Sequence, residues 1–355
     1  MRMLTKFHIF FLLLFLNTSS CDKKSSGGPS PNPPPDTGNS FRNPLLNSGP
    51  DPWIIRKDNV YYYTHTLGNR IALWKTTKVT ELKNATAQTV WSAPASGSNS
   101  QNIWAPELHY IDNKWYLYYT AGSGDLSTQR TFALENAAAD PTSGTWVDKG
   151  QIKDAAADFF AIDGTVLSYN GQNYFLWSGH ASATDPTQHL YIARMANPWS
   201  LATQRYLISS PQLSWEKAGA PPAVNEGPQI LINPAGRVLL IFSASGCWTD
   251  DYALGMMTLK EGGDPLNAAD WTKSQAPVFT KNPSGGAFGP GHNSFFKSPD
   301  GTEDWILYHA NPLSGQACGD NRSPRIQKFS WNADGTPNFG VPVSVNSSIN
   351  KPSGE

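Results

Sequence analysis

Five segments spread along the chain share one plan, and that repeat limits the fold more than any other feature. They are GPDPWIIRKDNVYYYTH from Gly49, APELHYIDNKWYLYYTA from Ala105, IDGTVLSYNGQNYFLWSG from Ile162, EGPQILINPAGRVLLIFSA from Glu226 and GHNSFFKSPDGTEDWILYHA from Gly291. Each opens with a polar or charged residue beside Gly or Pro and runs into an alternating apolar strand. A turn follows (KDN, DN, NG, PAG, SPDG), and then a second strand rich in Tyr, Phe and Trp, which is the pattern of a β-hairpin. The lead residues Asp51, Glu107, Asp163, Glu226 and His292 are spaced 56, 56, 63 and 66 residues apart. Further strand candidates, such as IALWKTT from Ile71 and YALGMMTL from Tyr252, lie between the hairpins. About four antiparallel strands per unit and no sustained helical period predict an all-β, five-bladed β-propeller.

In such a fold the first strand of every blade lines the central channel, so the five lead residues ring one mouth of it. Two Asp, two Glu and a His do not suit a purely structural channel, because unpaired carboxylates are costly to bury and raise one another's pKa. The ring is therefore the candidate site. The second strand of each hairpin returns to the same mouth, which predicts His65, His180, Trp248 and His309 around the rim. Trp53 and Trp104 fall closer in as candidate walls of the site, with Trp104 favoured. The same geometry puts Cys247 and Cys318 on one face of adjacent blades, where a disulfide is expected.

The ends of the chain speak to its location. Arg2 and Lys6 precede an apolar run, FHIFFLLLFL from Phe7, whose length suits the core of a signal peptide spanning residues 1–20. Cys21 directly after Thr18-Ser19-Ser20 resembles the lipobox of bacterial lipoproteins, which implies lipid attachment at Cys21. From Asp22 to Ser40 there is no aromatic or aliphatic side chain, so residues 21–40 read as an acylated cysteine and a Pro/Gly/Ser spacer. The propeller domain is expected over 41–355. A formal net charge of -1 and the absence of a Lys/Arg cluster argue against nucleic acid as partner. The 13 Trp and 13 Tyr suit stacking on sugars.

The set Gly49-Pro50-Asp51-Pro52-Trp53, Trp104-Ala105-Pro106-Glu107, Ile162-Asp163-Gly164, Asn225-Glu226-Gly227-Pro228 and Gly289-Pro290-Gly291-His292 resembles glycoside hydrolase family 43. The resemblance implies inverting, single-displacement hydrolysis. In it Asp51 is the general base that activates water, Glu226 the general acid, and Asp163 the residue that tunes and orients that acid. It gives Glu107 no chemical role; a channel hydrogen bond or support for Trp104 is expected there ahead of direct substrate contact. His292 matches a fifth-blade histidine that supports a metal or water, so a channel Ca²⁺ near His292 is an expectation. No organic cofactor is expected. Arg325 resembles the arginine that contacts sugar hydroxyls, with Arg322 as the alternative.

The stretches from Gly246, Phe295 and Arg325 look most like exported α-L-arabinofuranosidases of this family. The expectation is then a monomeric lipoprotein of the cell envelope, on the periplasmic or outer face, that releases L-arabinofuranose from arabinan or arabinose-decorated polysaccharide. It touches the membrane through its lipid alone. β-Xylosidase and endo-arabinanase are the alternatives within the family, and a catalytically inactive glycan-binding propeller is the alternative outside it. A lectin would have no use for all three acids.

Overall fold

The computed structural model describes residues 38–355, and the export segment, Cys21 and most of the spacer lie outside them. Each blade is an antiparallel sheet made from one continuous stretch of chain. Blade 1 is Trp53–Lys57, Val60–Thr64, Arg70–Thr76 and Ala87–Ser92. Blade 2 is Gln101–Ile111, Lys114–Gly122, Arg130–Asn136 and Val147–Ile152. Ala161–Tyr169, Gln172–Gly179, His189–Asn197 and Tyr206–Ser209 build blade 3, with Ser200–Leu201 as a short extra strand. Blade 4 is Asn225–Ile232, Val238–Ala244, Ala253–Leu259 and Trp271–Lys273. Blade 5 is Phe288–Lys297, Asp304–Asn311, Ser323–Trp331 and Pro337–Asn338.

The core lies between blades. One apolar cluster sits at each interface, joining blades 1 and 2, 2 and 3, 3 and 4, 4 and 5, and finally 5 and 1, so the ring closes. This explains why the middles of the second strands are apolar on both faces. Successive strand residues point to opposite faces, and here both faces meet a neighbouring blade. In blade 1, Tyr61 and Tyr63 pack toward blade 5 whereas Tyr62 packs toward blade 2. In blade 4, Leu239 and Ile241 face blade 5 while Leu240 and Phe242 face blade 3.

The hairpin turns follow from their residues. Asp112-Asn113 and Asn170-Gly171 join strands whose ends pair as Ile111 with Lys114 and Tyr169 with Gln172, and all four turn residues have positive φ. Two such residues in succession define the type I′ turn, whose twist matches the strands it connects.

Because the first and fifth sheets share no strand, other contacts close the ring. Phe41 and Leu45 enter the interface between blades 5 and 1. The Asn43 side chain donates to Ile326 O and accepts from Ile326 N–H at 2.9 and 3.0 Å, and Leu45 N–H donates to Pro324 O at 2.8 Å. Ser40–Phe41 also pairs with Ile349–Asn350. Gly49 passes so close to blade 5 that a Cβ there would lie 2.6 Å from the Tyr63 hydroxyl and 2.8 Å from Pro324. That approach delivers Asp51 to the channel mouth.

Candidate active site

Just before or within the first few residues of each blade's first strand stands a residue in the left-handed region. These are Asp51 (φ 54°), Ala105 (43°), Asp163 (57°), Gly227 (54°) and His292 (46°). In blades 2 to 5 the strand also shifts register there, as a β-bulge does. A bulge re-aims a side chain at a sheet edge, and a non-glycine residue held at positive φ costs about 1–3 kcal/mol, so other bonds must hold it.

Those bonds come from the preceding blade. Thr66 Oγ1 accepts the N–H of Ala105 at 2.7 Å, Thr120 Oγ1 that of Asp163 at 3.1 Å, and Ser243 Oγ that of His292 at 2.8 Å. His309 Nδ1 accepts the N–H of Asp51 at 3.1 Å, which closes the circle across blades 5 and 1. Between blades 3 and 4 the pattern changes. Ser178 Oγ donates to Asn225 O at 2.9 Å, and the N–H of Gly227 donates to Asp163 Oδ2 at 3.0 Å. Asp163 is thereby tied to the residue after Glu226.

These hooks bring Asp51, Asp163, Glu226 and His292 to one cavity of about 450 Å³, which Trp104, Arg322 and Thr66 also line. The three acids sit in contrasting surroundings. Burial alone would raise the pKa of Asp51. Arg322 Nη1 at 2.7 Å from Oδ1, with His292, His309 and the Thr66 hydroxyl at 2.7 Å from Oδ2, outweighs it and holds the carboxyl well below the usual range. Glu226 goes the other way. Burial, helped by the charge of Asp51, pushes its pKa up to about 7 against the Tyr252 hydroxyl, which donates to Oε1 at 2.8 Å, and Arg322. Asp163 is raised as well, by burial and then by Glu226 and Asp51. Both carboxyls are thus biased toward their protonated forms, unlike Asp51.

Arg325, expected on the sugar, is instead fully buried, and it donates to Gly286 O at 2.7 Å and Ala310 O at 3.3 Å. It lies inside the strand Ser323–Trp331, whereas Arg322 stands in the loop just before that strand, at the mouth. Glu107 is also not at the mouth. It lies two residues beyond Ala105, deeper in the channel, bonded to Gln229 Nε2 and to His109 Nε2 at 2.9 Å. Of the predicted rim residues, Trp248 lines the cavity. His309 is buried beneath Asp51, His180 stacks behind Phe160 at 4.3 Å, and His65 stacks on Trp74 at 4.7 Å. Trp53 donates from Nε1 to Leu108 O at 2.9 Å, between blades 1 and 2.

Cys247 and Cys318 form a disulfide that joins the blade 4 and blade 5 loops, and both line the cavity. Asp250 reinforces it by accepting from Gly315 N–H at 2.9 Å and from the Ser314 hydroxyl. Phe160, Leu126 and Gln188 complete the wall. Neither these three nor Tyr252 was predicted. The hooks did leave a signal, since Thr66, Thr120, Ser178, Ser243 and His309 follow their blade's first residue by 15 to 17 positions.

The residues near His292 do not fit a calcium cage. Ca²⁺ takes six to eight oxygens. Burial lowers the pKa of His292, and it lies 3.5 Å from Asp51, whose two oxygens already serve Arg322 and Thr66. Among the described residues no group of three or more His, Cys, Asp or Glu side chains converges to hold a metal.

A family model described as "Glycosyl hydrolases family 43" matches residues 41–337. The chain is 44% identical over 314 residues to an extracellular exo-α-(1→5)-L-arabinofuranosidase from Streptomyces avermitilis, covering 86% of this chain and 64% of that protein. It is 39% identical to the protein of the same name from Streptomyces chartreusis, over 76% of this chain and 82% of that one. The crystal structure of an α-L-arabinofuranosidase from Lactobacillus brevis superposes with a TM-score of 0.80 at 38% identity, covering 86% of this chain and 98% of the other.

Proposed function

The chain belongs to family 43 of the glycosyl hydrolases, and from that premise we propose that it is an exo-acting α-L-arabinofuranosidase that cleaves by single displacement with inversion. One observation carries the reading: a single cavity holds one carboxyl kept ionised, Asp51, and another kept protonated near neutrality, Glu226. Two carboxyls pushed in opposite directions are what acid–base glycoside hydrolysis needs.

In this mechanism Asp51 takes a proton from the water that attacks the anomeric carbon. Glu226 gives its proton to the departing oxygen. Asp163 orients Glu226 through the N–H of Gly227. Arg322 and Thr66 keep Asp51 ionised and aimed, while Trp104 and His292 face the sugar. The names of the relatives support arabinofuranose as the sugar, and a cavity walled by the 247–318 disulfide suits a chain end. The chain spans 64% of the length of the Streptomyces avermitilis relative. No organic cofactor enters this reaction.

The word "extracellular" in the relatives' names supports export. We place the protein in the bacterial envelope as a monomer, anchored through lipid on Cys21. Loss of membrane association in Cys21→Ala tests the anchor, and equal partitioning of both forms removes it.

The activity is tested by product analysis with α-1,5-linked arabino-oligosaccharides and aryl arabinofuranosides and xylosides. Arabinose released singly from chain ends is expected, and Asp51→Asn and Glu226→Gln should each lower turnover on the oligosaccharides by about 10²–10⁴-fold. Release of xylose in preference to arabinose would change the substrate, and sugar binding without turnover would make the protein a binding module.

A further inference from the structure

Among the described residues Glu226 has one side-chain hydrogen bond, to Tyr252, yet the residue before it is fixed on every polar atom. The N–H of Asn225 donates to Gln188 O at 3.0 Å, and its C=O accepts from Ser178 Oγ at 2.9 Å. Its side-chain Oδ1 accepts from Ser209 Oγ at 2.7 Å and Lys273 Nζ at 3.3 Å, while Nδ2 donates to Glu216 Oε1 at 3.0 Å.

Glu216 is fully buried and lies outside the cavity, in the turn Ser214–Lys217 that leads from blade 3 to blade 4. Its second oxygen accepts the N–H groups of Gln212 and Leu213, both at 2.8 Å. Its charge is met by Lys273 Nζ at 2.7 Å from Oε1, and Lys273 also donates to Ser210 O at 2.8 Å. Lys273 ends the outermost strand of blade 4, so the network crosses that whole blade to reach Asn225 on its innermost strand.

Such an ion pair gives little stability for its position. Burying two charges costs several kcal/mol per ion, and well-packed apolar residues commonly do as well. What the pair adds here is a grip on the side chain of Asn225, one residue ahead of the proposed acid, whose backbone Gln188 and Ser178 hold. On the other side of Glu226, Gly227 is fixed by Asp163. Glu226 thus hangs from two immobilised neighbours.

We infer that Glu216 and Lys273, acting through Asn225, are positioning residues that set where Glu226 delivers its proton. The inference rests on the proposed reading of Glu226 as general acid. A displacement of about 1 Å at such a group can lower its rate contribution by about 10²-fold. The defect should appear only where the leaving group needs the proton.

The test uses the full chain with Glu216→Gln and Lys273→Met together, which removes both charges and leaves neither buried alone. Turnover is measured on α-1,5-linked arabinobiose, whose leaving group needs protonation, and on a dinitrophenyl arabinofuranoside, whose leaving group does not. The expected result is a loss of about 10-fold or more on arabinobiose with less than about 2-fold on the aryl substrate. Equal losses on both, or none on either, overturn the inference. Should the double variant not fold, Ser209→Ala removes one neutral bond to Asn225, and it should show the same selective loss at about 3-fold. An equal or absent effect there overturns the inference too. A parent enzyme inactive on both arabinosides would instead overturn the functional reading and the inference with it.

Discussion

Replacing Arg322 by Met asks whether one ion pair keeps the proposed base ionised. The guanidinium lies 2.7 Å from Asp51 Oδ1, with both side chains close to nine-tenths buried, and it is the strongest influence opposing the burial of that carboxyl. Removing one partner of a buried pair costs about 3–5 kcal/mol, and 1.36 kcal/mol corresponds to one pKa unit, so the lower figure alone raises Asp51 by about two units. Asp51 works as a base only when ionised, and activity is lost as pH falls through its pKa. In the parent that pKa lies well below the usual carboxylate range, so the acid limb sits at the low edge of any assay. In Arg322→Met it should move upward by about two units. Stability follows the same sign. A depressed folded-state pKa stabilises the fold above the ordinary Asp value and loses that contribution as pH falls, and the variant should lack it. The assay is kcat/KM against pH on an aryl arabinofuranoside, which reports the free enzyme. Arg322→Lys, which keeps a charge without the planar fork, should shift the limb less. Coincident acid limbs in parent and Met variant would refute the reasoning.

Two further outcomes follow from the same geometry. Tyr252→Phe removes a hydroxyl that favours the ionised form of Glu226, so the alkaline limb should rise above pH 7 by about one unit, measured as kcat/KM against pH. Changing Cys247 and Cys318 to Ser opens a covalent link across 71 residues, and calorimetry should show a loss of about 2–4 kcal/mol; KM on arabino-oligosaccharides should rise as the loops bearing Trp248 and Arg322 loosen.

Much of the fold was legible because its determinants are local. Apolar second strands and the Asp112-Asn113 and Asn170-Gly171 turns carry their conformations in their own residues. The bulges do not. A bulge adds a residue without changing composition, so aligning the repeats on their acidic residues matched Glu107 with Asp51, although Ala105 is the residue in the equivalent backbone state. The same slip pairs Glu226 with a position that Gly227 occupies. The choice between Arg322 and Arg325 turned on where a loop ends, which spacing does not mark. Glu216 and Lys273 were invisible for another reason. They stand 57 residues apart and meet only once blade 4 is assembled.

In the proposed reaction water attacks directly, with Asp51 as base and Glu226 as acid. Proton NMR of the first product during hydrolysis of an α-L-arabinofuranoside tests it most directly, read before mutarotation blurs the signal. Attack from the face opposite the leaving group predicts β-L-arabinofuranose as the first anomer released. Initial release of the α anomer would mean a covalent intermediate and a nucleophilic Asp51, and would rule out direct attack by water.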